Sequence, residues 1–188
     1  MRAIWNLGAG FVLTAAAPAA AENYREIRIG DWGLSAGFHG LHTIQDWEFG
    51  LPRAEIVAVV AAIRGPVTRP DSSAACADGP MQFSHFGPLT LNFRDGRWVG
   101  WSLEGPPGEA PIRNEWGVGI ASPREEVPAL AMDGDVVTIS QRGNQAEFTV
   151  GRMHGTLSDA TPEAIIKSLW AGTICNPPQP LTERPPTP

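Results

Sequence analysis

The chain has 188 residues, a formal net charge of −6 at pH 7, 18% charged residues, and 21 Gly, 18 Pro and 7 Trp. A mildly acidic chain with no basic run is a poor match for nucleic acid or for an anionic membrane surface. The composition suits a turn-rich, strand-containing secreted domain, and no stretch beyond residue 21 approaches the ~20 apolar residues of a spanning helix.

Residues 1–21 read as a secretory signal peptide. Arg2 supplies the positive start, an uncharged apolar run extends from Ile4 to Ala17, and Ala19-Ala20-Ala21 offers a small-residue cleavage site. The run is too short for an anchor. No Cys near the junction points to a lipoprotein. The expected location is periplasmic or secreted. The rest divides into a first half over residues 22–110, a second half over 111–175, and a Pro-rich tail over 176–188 with no apolar period, read as extended or disordered.

Residues 24–32 read as a leading strand. Gly33-Leu34-Ser35-Ala36-Gly37 follows and matches G-x-S-x-G, in which a strained strand-to-helix turn exposes a nucleophilic serine. Phe38-His39-Gly40 does not continue as a helix, so the plainer reading is a glycine-rich loop. A small serine hydrolase using Ser35 with His39 stands as an alternative. His39 and His42, joined by His85 or His154, are the remaining metal candidates. Neither C-x-x-C nor H-E-x-x-H occurs, so no metal site and no cofactor is expected.

Two segments, residues 49–59 and 120–130, look alike. They share Pro-Arg-x-Glu-Ile/Val-x-Ala-Val/Leu, with Pro suited to the first helical position and acids in the first turn. In the first, Ile56, Val59, Val60 and Ile63 recur at helical spacing, and Gly65-Pro66 stops the helix. In the second, Ser122 is the expected cap with Glu126 as its partner. Pro128 limits that helix to a single turn or a 3₁₀ piece.

Strand-like runs follow each segment, at residues 81–86 and 89–103, then at 136–140, 146–150 and 153–157. Residues 161–170 predict a last helix, with Thr161 as cap, Pro162 in the first position and Ile165, Ile166 and Leu169 as its stripe. Cys76 and Cys175, an even count in an exported chain, suggest a disulfide closing a loop of about a hundred residues; two buried thiols are the alternative.

Residues 89–103 form the clearest local unit. Asp95-Gly96 between apolar-rich runs predicts a β-hairpin with a two-residue turn. Phe93 then faces Trp98, Leu91 faces Gly100 and Leu89 faces Ser102 on an apolar face, where Gly100 leaves room for close packing. Asn92, Thr90, Val99 and Trp101 take the other face. A three-residue loop with a bulge would shift the pairing and flip one strand.

Residues 49–60 with the strands after them, and the second copy at 120–130, resemble tandem BLIP-type repeats, the modules of β-lactamase inhibitor proteins and SmpA/OmlA-type lipoproteins. The matching positions are Gly50, Leu51, Glu55, Ile56 and Val59, then Ala121, Ser122, Glu126, Val127 and Leu130. The lipobox Cys of the SmpA type is missing here. The resemblance implies two helix-plus-antiparallel-sheet halves, an α+β fold, that bind other proteins without catalysis.

The resulting expectation is an exported, non-catalytic module that binds another periplasmic or envelope protein. The expected docking surface is the sheet around Trp101, Thr90 and Asn92, with Trp47 and Trp116 at the repeat starts; the plainer reading places the tryptophans in cores. Besides the Ser35 hydrolase, the other alternative is a small-ligand carrier with an aromatic-lined cleft between the halves.

Overall fold

The computed structural model describes residues 24–38, 44–106 and 111–176. The expected signal peptide, His39, His42 and the tail from residue 177 lie outside the described residues. Strands account for 49% of the described residues and helices for 13%, so the expected α+β class is corrected to a sheet-rich one.

Three strands, β1 (Tyr24–Gly30), β2 (Gly33–Phe38) and β3 (Ile44–Glu48), form a small antiparallel sheet. Helix α1 (Arg53–Arg64) follows. Four strands, β4 (Arg69–Ser73), β5 (Met81–Phe86), β6 (Leu89–Arg94) and β7 (Arg97–Glu104), then make an antiparallel meander. A 3₁₀ segment (Arg124–Leu130) precedes a second meander of β8 (Val137–Arg142), β9 (Gln145–Val150), β10 (Met153–Leu157) and β11 (Ile166–Gly172). The meanders meet at their last strands and make one eight-stranded sheet, in the order β4-β5-β6-β7-β11-β10-β9-β8.

Each Pro-Arg segment is held by the same three backbone hydrogen bonds. Gly50 N–H donates to Trp98 O at 2.7 Å, Trp98 N–H to Leu51 O at 2.9 Å, and Arg53 N–H to Gly96 O at 2.8 Å. In the second copy Ala121 N–H donates to Ile166 O at 2.9 Å, Ile166 N–H to Ser122 O at 2.9 Å, and Arg124 N–H to Ala164 O at 2.8 Å. Gly50 and Ala121 both have positive φ, 102° and 67°, so the duplicated geometry extends to an unusual backbone position.

The last helix predicted over residues 161–170 is not there. Asp159 accepts the Thr161 N–H at 2.8 Å in a turn, and the chain then enters β11. The apolar spacing that resembled a helix comes from a β-bulge. Thr156 pairs with Ser168 but Leu157 pairs with Ile166, leaving Lys167 as an extra residue. One extra residue puts Ile166 and Leu169, three apart, on the same face.

The hairpin carries the equivalent irregularity. Phe93 faces Trp98 as expected, but Asn92 faces Gly100, Leu91 faces Trp101 and Leu89 faces Leu103. Val99 is the extra residue, and beyond it the strand is flipped relative to the plain alternation. Trp98 and Trp101 therefore both point into the core.

That core lies between the large sheet on one side and α1 with the small sheet on the other. Ile27, Ile29 and Leu34 of the small sheet and Ile56 and Val60 of α1 are buried with Leu91, Phe93, Trp98, Leu103, Phe148 and Leu169. The Trp101 indole N–H donates to Gly30 O at 3.0 Å and ties the two sheets together. Two glycines permit close approach: a Cβ on Gly100 would lie 2.4 Å from Thr173 O, and one on Gly155 2.2 Å from the Phe148 ring. On the opposite face of the large sheet, the Cys76–Cys175 disulfide packs with Met81, Phe83 and Val99.

Ser122 does not act as a helix cap. The 3₁₀ segment has no side-chain cap, and the Ser122 hydroxyl instead accepts the Gly119 N–H at 3.2 Å and an Arg113 guanidinium hydrogen bond at 3.3 Å.

Candidate functional site

The surface expected around Trp101, Thr90 and Asn92 is not available for docking. Trp101 is 0% exposed and Asn92 is buried. Thr90 is half-buried, and its hydroxyl is 2.9 Å from His85 Nδ1. Trp47 is also buried, with the core residues of the small sheet. Trp116 alone of the proposed binding tryptophans is open to solvent, at 65%.

Ser35 lies mid-strand in β2, opposite Arg28 on one side and Asp46 on the other. No strand-to-helix turn is present there, so the strained geometry that exposes a nucleophile is missing. The glycine-rich segment is a strand rather than a loop, because Leu34 and Ala36 alternate into the core. A Cβ on Gly33 would lie 2.0 Å from Trp47 O, so that glycine serves the approach of β3.

The two described histidines sit on different strands, His85 on β5 and His154 on β10. His154 stacks on Trp170 with centroids 5.7 Å apart and approaches the Thr149 hydroxyl at 3.2 Å. Burial holds both imidazoles below their ordinary pKa, and for His85 the neighbouring Arg69 charge adds to it. Among the described residues no three His, Cys, Asp or Glu side chains converge as a metal site.

A different place gathers three of the five exposed large apolar side chains among the described residues. The outward face of the small sheet and the loop before the 3₁₀ segment enclose a cleft of about 280 Å³. Arg28, Ser35, Ile44 and Asp46 come from the sheet, and Asp31 and Trp32 from the β1–β2 turn. Asn114, Glu115 and Trp116 form the opposite wall, with Met132 beside them. Three of its lining residues are large apolar side chains held in water: Trp116, Met132 at 53% and Ile44 at 51%. Such clustering, rather than exposure of any one side chain, distinguishes an interaction surface.

The Trp116 loop is built to hold its shape. Asn114 is buried, and its side-chain oxygen accepts the backbone N–H groups of Trp116 at 3.0 Å and Val118 at 2.8 Å. Its amide donates to Ala129 O at 3.0 Å, fastening the loop to the 3₁₀ segment. Arg113 donates to Gly117 O at 2.6 Å. Asn first and Gly fourth in Asn114-Glu115-Trp116-Gly117 is a turn signature that marks this loop in the sequence. Met132, Ile44 and Trp32 carry no comparable signal, because only the fold brings them together.

Asn114→Ala is expected to cost about 1–3 kcal/mol, since it strands the buried Val118 N–H and the half-buried Trp116 N–H rather than removing one contact. Urea denaturation measures this. A cost below about 0.5 kcal/mol, the range of ordinary surface changes, would show that Asn114 does not brace the loop.

Among the described residues no imidazole lines the cleft beside Ser35, and the described lining presents apolar contact and charge. Comparison with family models, with curated proteins and with solved structures returns no match for this chain.

Proposed function

We propose that this chain is an exported, non-catalytic binding module of the cell envelope, and that a partner protein docks at the Trp116 cleft. The observation that carries this reading is an exposed tryptophan on a braced loop, lining one cleft together with Met132 and Ile44. A rigid aromatic anchor loses little entropy on binding, which is why Trp is enriched at interface hot spots. The disulfide suits a periplasmic or secreted setting. No described helix is long and apolar enough to cross a membrane. The resemblance of the two Pro-Arg segments to tandem BLIP-type repeats points the same way.

Trp116→Ala is expected to lower partner capture by roughly tenfold or more, while stability moves by less than about 0.5 kcal/mol. Capture from periplasmic extract, identified by mass spectrometry, and urea denaturation together measure this. Unchanged capture by a folded variant would remove the cleft as the docking surface. A carrier of a small ligand is the second reading, favoured by the cleft volume of about 280 Å³, near the lower bound of small-molecule sites. A saturable change in tryptophan fluorescence with a periplasmic metabolite, absent in Trp116→Ala, would support it.

A further inference from the structure

The cleft carries a charge imbalance that narrows what docks there, an inference that rests on the binding reading above. Arg28 is the one cation among its described lining residues, and Glu26 already sits 3.7 Å from its guanidinium. Asp31 faces Arg152 at 3.5 Å. Asp46 and Glu115 are exposed and make no ion pair within 4.0 Å among the described residues. Both adjoin the apolar rim: Asp46 shares a strand face with Ile44, and Glu115 immediately precedes Trp116.

We propose that the cleft takes a basic segment of a partner protein, a Lys or Arg side chain within an otherwise apolar stretch. The cation would sit against Asp46 and Glu115, and its methylene stem would lie across Trp116 and Met132. Long basic side chains combine these needs, because an apolar stem carries the charge and an indole face attracts it. Exposed carboxylates contribute little to a pair in water. Docking removes that water, so the same carboxylates strongly select the sign of the incoming charge. A purely apolar partner would desolvate Asp46 and Glu115 without replacing their hydration. An acidic partner would add like charges.

Selection of a random peptide library displayed on phage, against the whole immobilised protein, tests this. Clones are sorted by whether they need Trp116, using the Trp116→Ala variant as the counter-target. Trp116-dependent clones are expected to carry Lys or Arg at about twice the library frequency or more. They are expected to weaken roughly tenfold on the Asp46→Asn, Glu115→Gln double variant and to weaken as salt rises. Clones that bind elsewhere report that the double variant is folded. Trp116-dependent clones without a basic excess, or enriched in acids, would overturn the charge inference and leave the cleft as a docking surface. A library yielding no Trp116-dependent clone would overturn both.

Discussion

Replacing Trp101 with Ala is expected to cost about 3–5 kcal/mol, the range for deleting a large buried aromatic. The indole is fully buried, faces Leu91 on one neighbouring strand and Ala171 on the other, and reaches across the core to Gly30 O. Three losses therefore coincide: the apolar burial, the cavity left behind, and a hydrogen bond that joins the two sheets. The half-buried Gly30 carbonyl would lose its indole partner. In a domain of this size each kcal/mol moves Tm by about 2–4 °C, so a fall of about 6–20 °C is the readout. Trp101→Phe should recover part of the loss, because it restores ring volume but not the N–H. Stability of Trp101→Ala within about 1 kcal/mol of wild type would contradict the inward placement of this residue. The contrast with Trp116→Ala, a near-neutral change at an equally large side chain, follows from burial alone.

Opening the Cys76–Cys175 disulfide is the second large effect. The bond spans a sequence separation of 99, and chain-entropy arguments put loops of that length at up to about 4.7 kcal/mol. Removing a native disulfide from a small secreted domain typically costs about 2–5 kcal/mol. The bond joins the loop between β4 and β5 to the chain just past β11, so it fastens both meanders on the face away from the main core. Asn176 adds a local tie there, accepting the Ala77 N–H at 3.0 Å. The Cys76→Ser, Cys175→Ser double variant should therefore unfold at lower urea than wild type, and a reducing agent should shift wild type to the same midpoint. Coincident midpoints for wild type, with and without reductant, would show that the cross-link contributes nothing.

Several features were legible from residues alone because short-range chemistry decides them. Asp95-Gly96 requires a tight turn at almost any tertiary setting, since its φ values of 50° and 72° suit few other pairs. The stripe Ile56–Val60 and its Gly65 stop define α1 by local periodicity. Two cysteines leave one possible intrachain pairing, and the bond is present. What misled was also local. In both central strands one extra residue, Val99 or Lys167, places side chains three apart on one face. Trp98 with Trp101 thus broke the expected alternation, and Ile166 with Leu169 imitated a helix.

The amino-acid sequence by itself determined turns, helix stops and the cysteine pair, because each depends on backbone freedom or valence within a few residues. Tertiary structure decided which strands bulge, which tryptophans are covered, and that Ile44, Trp116 and Met132 meet at one cleft. Those outcomes depend on how two meanders close edge to edge under a second sheet. Burial is a property of neighbours distant in the chain, and no window of sequence contains them.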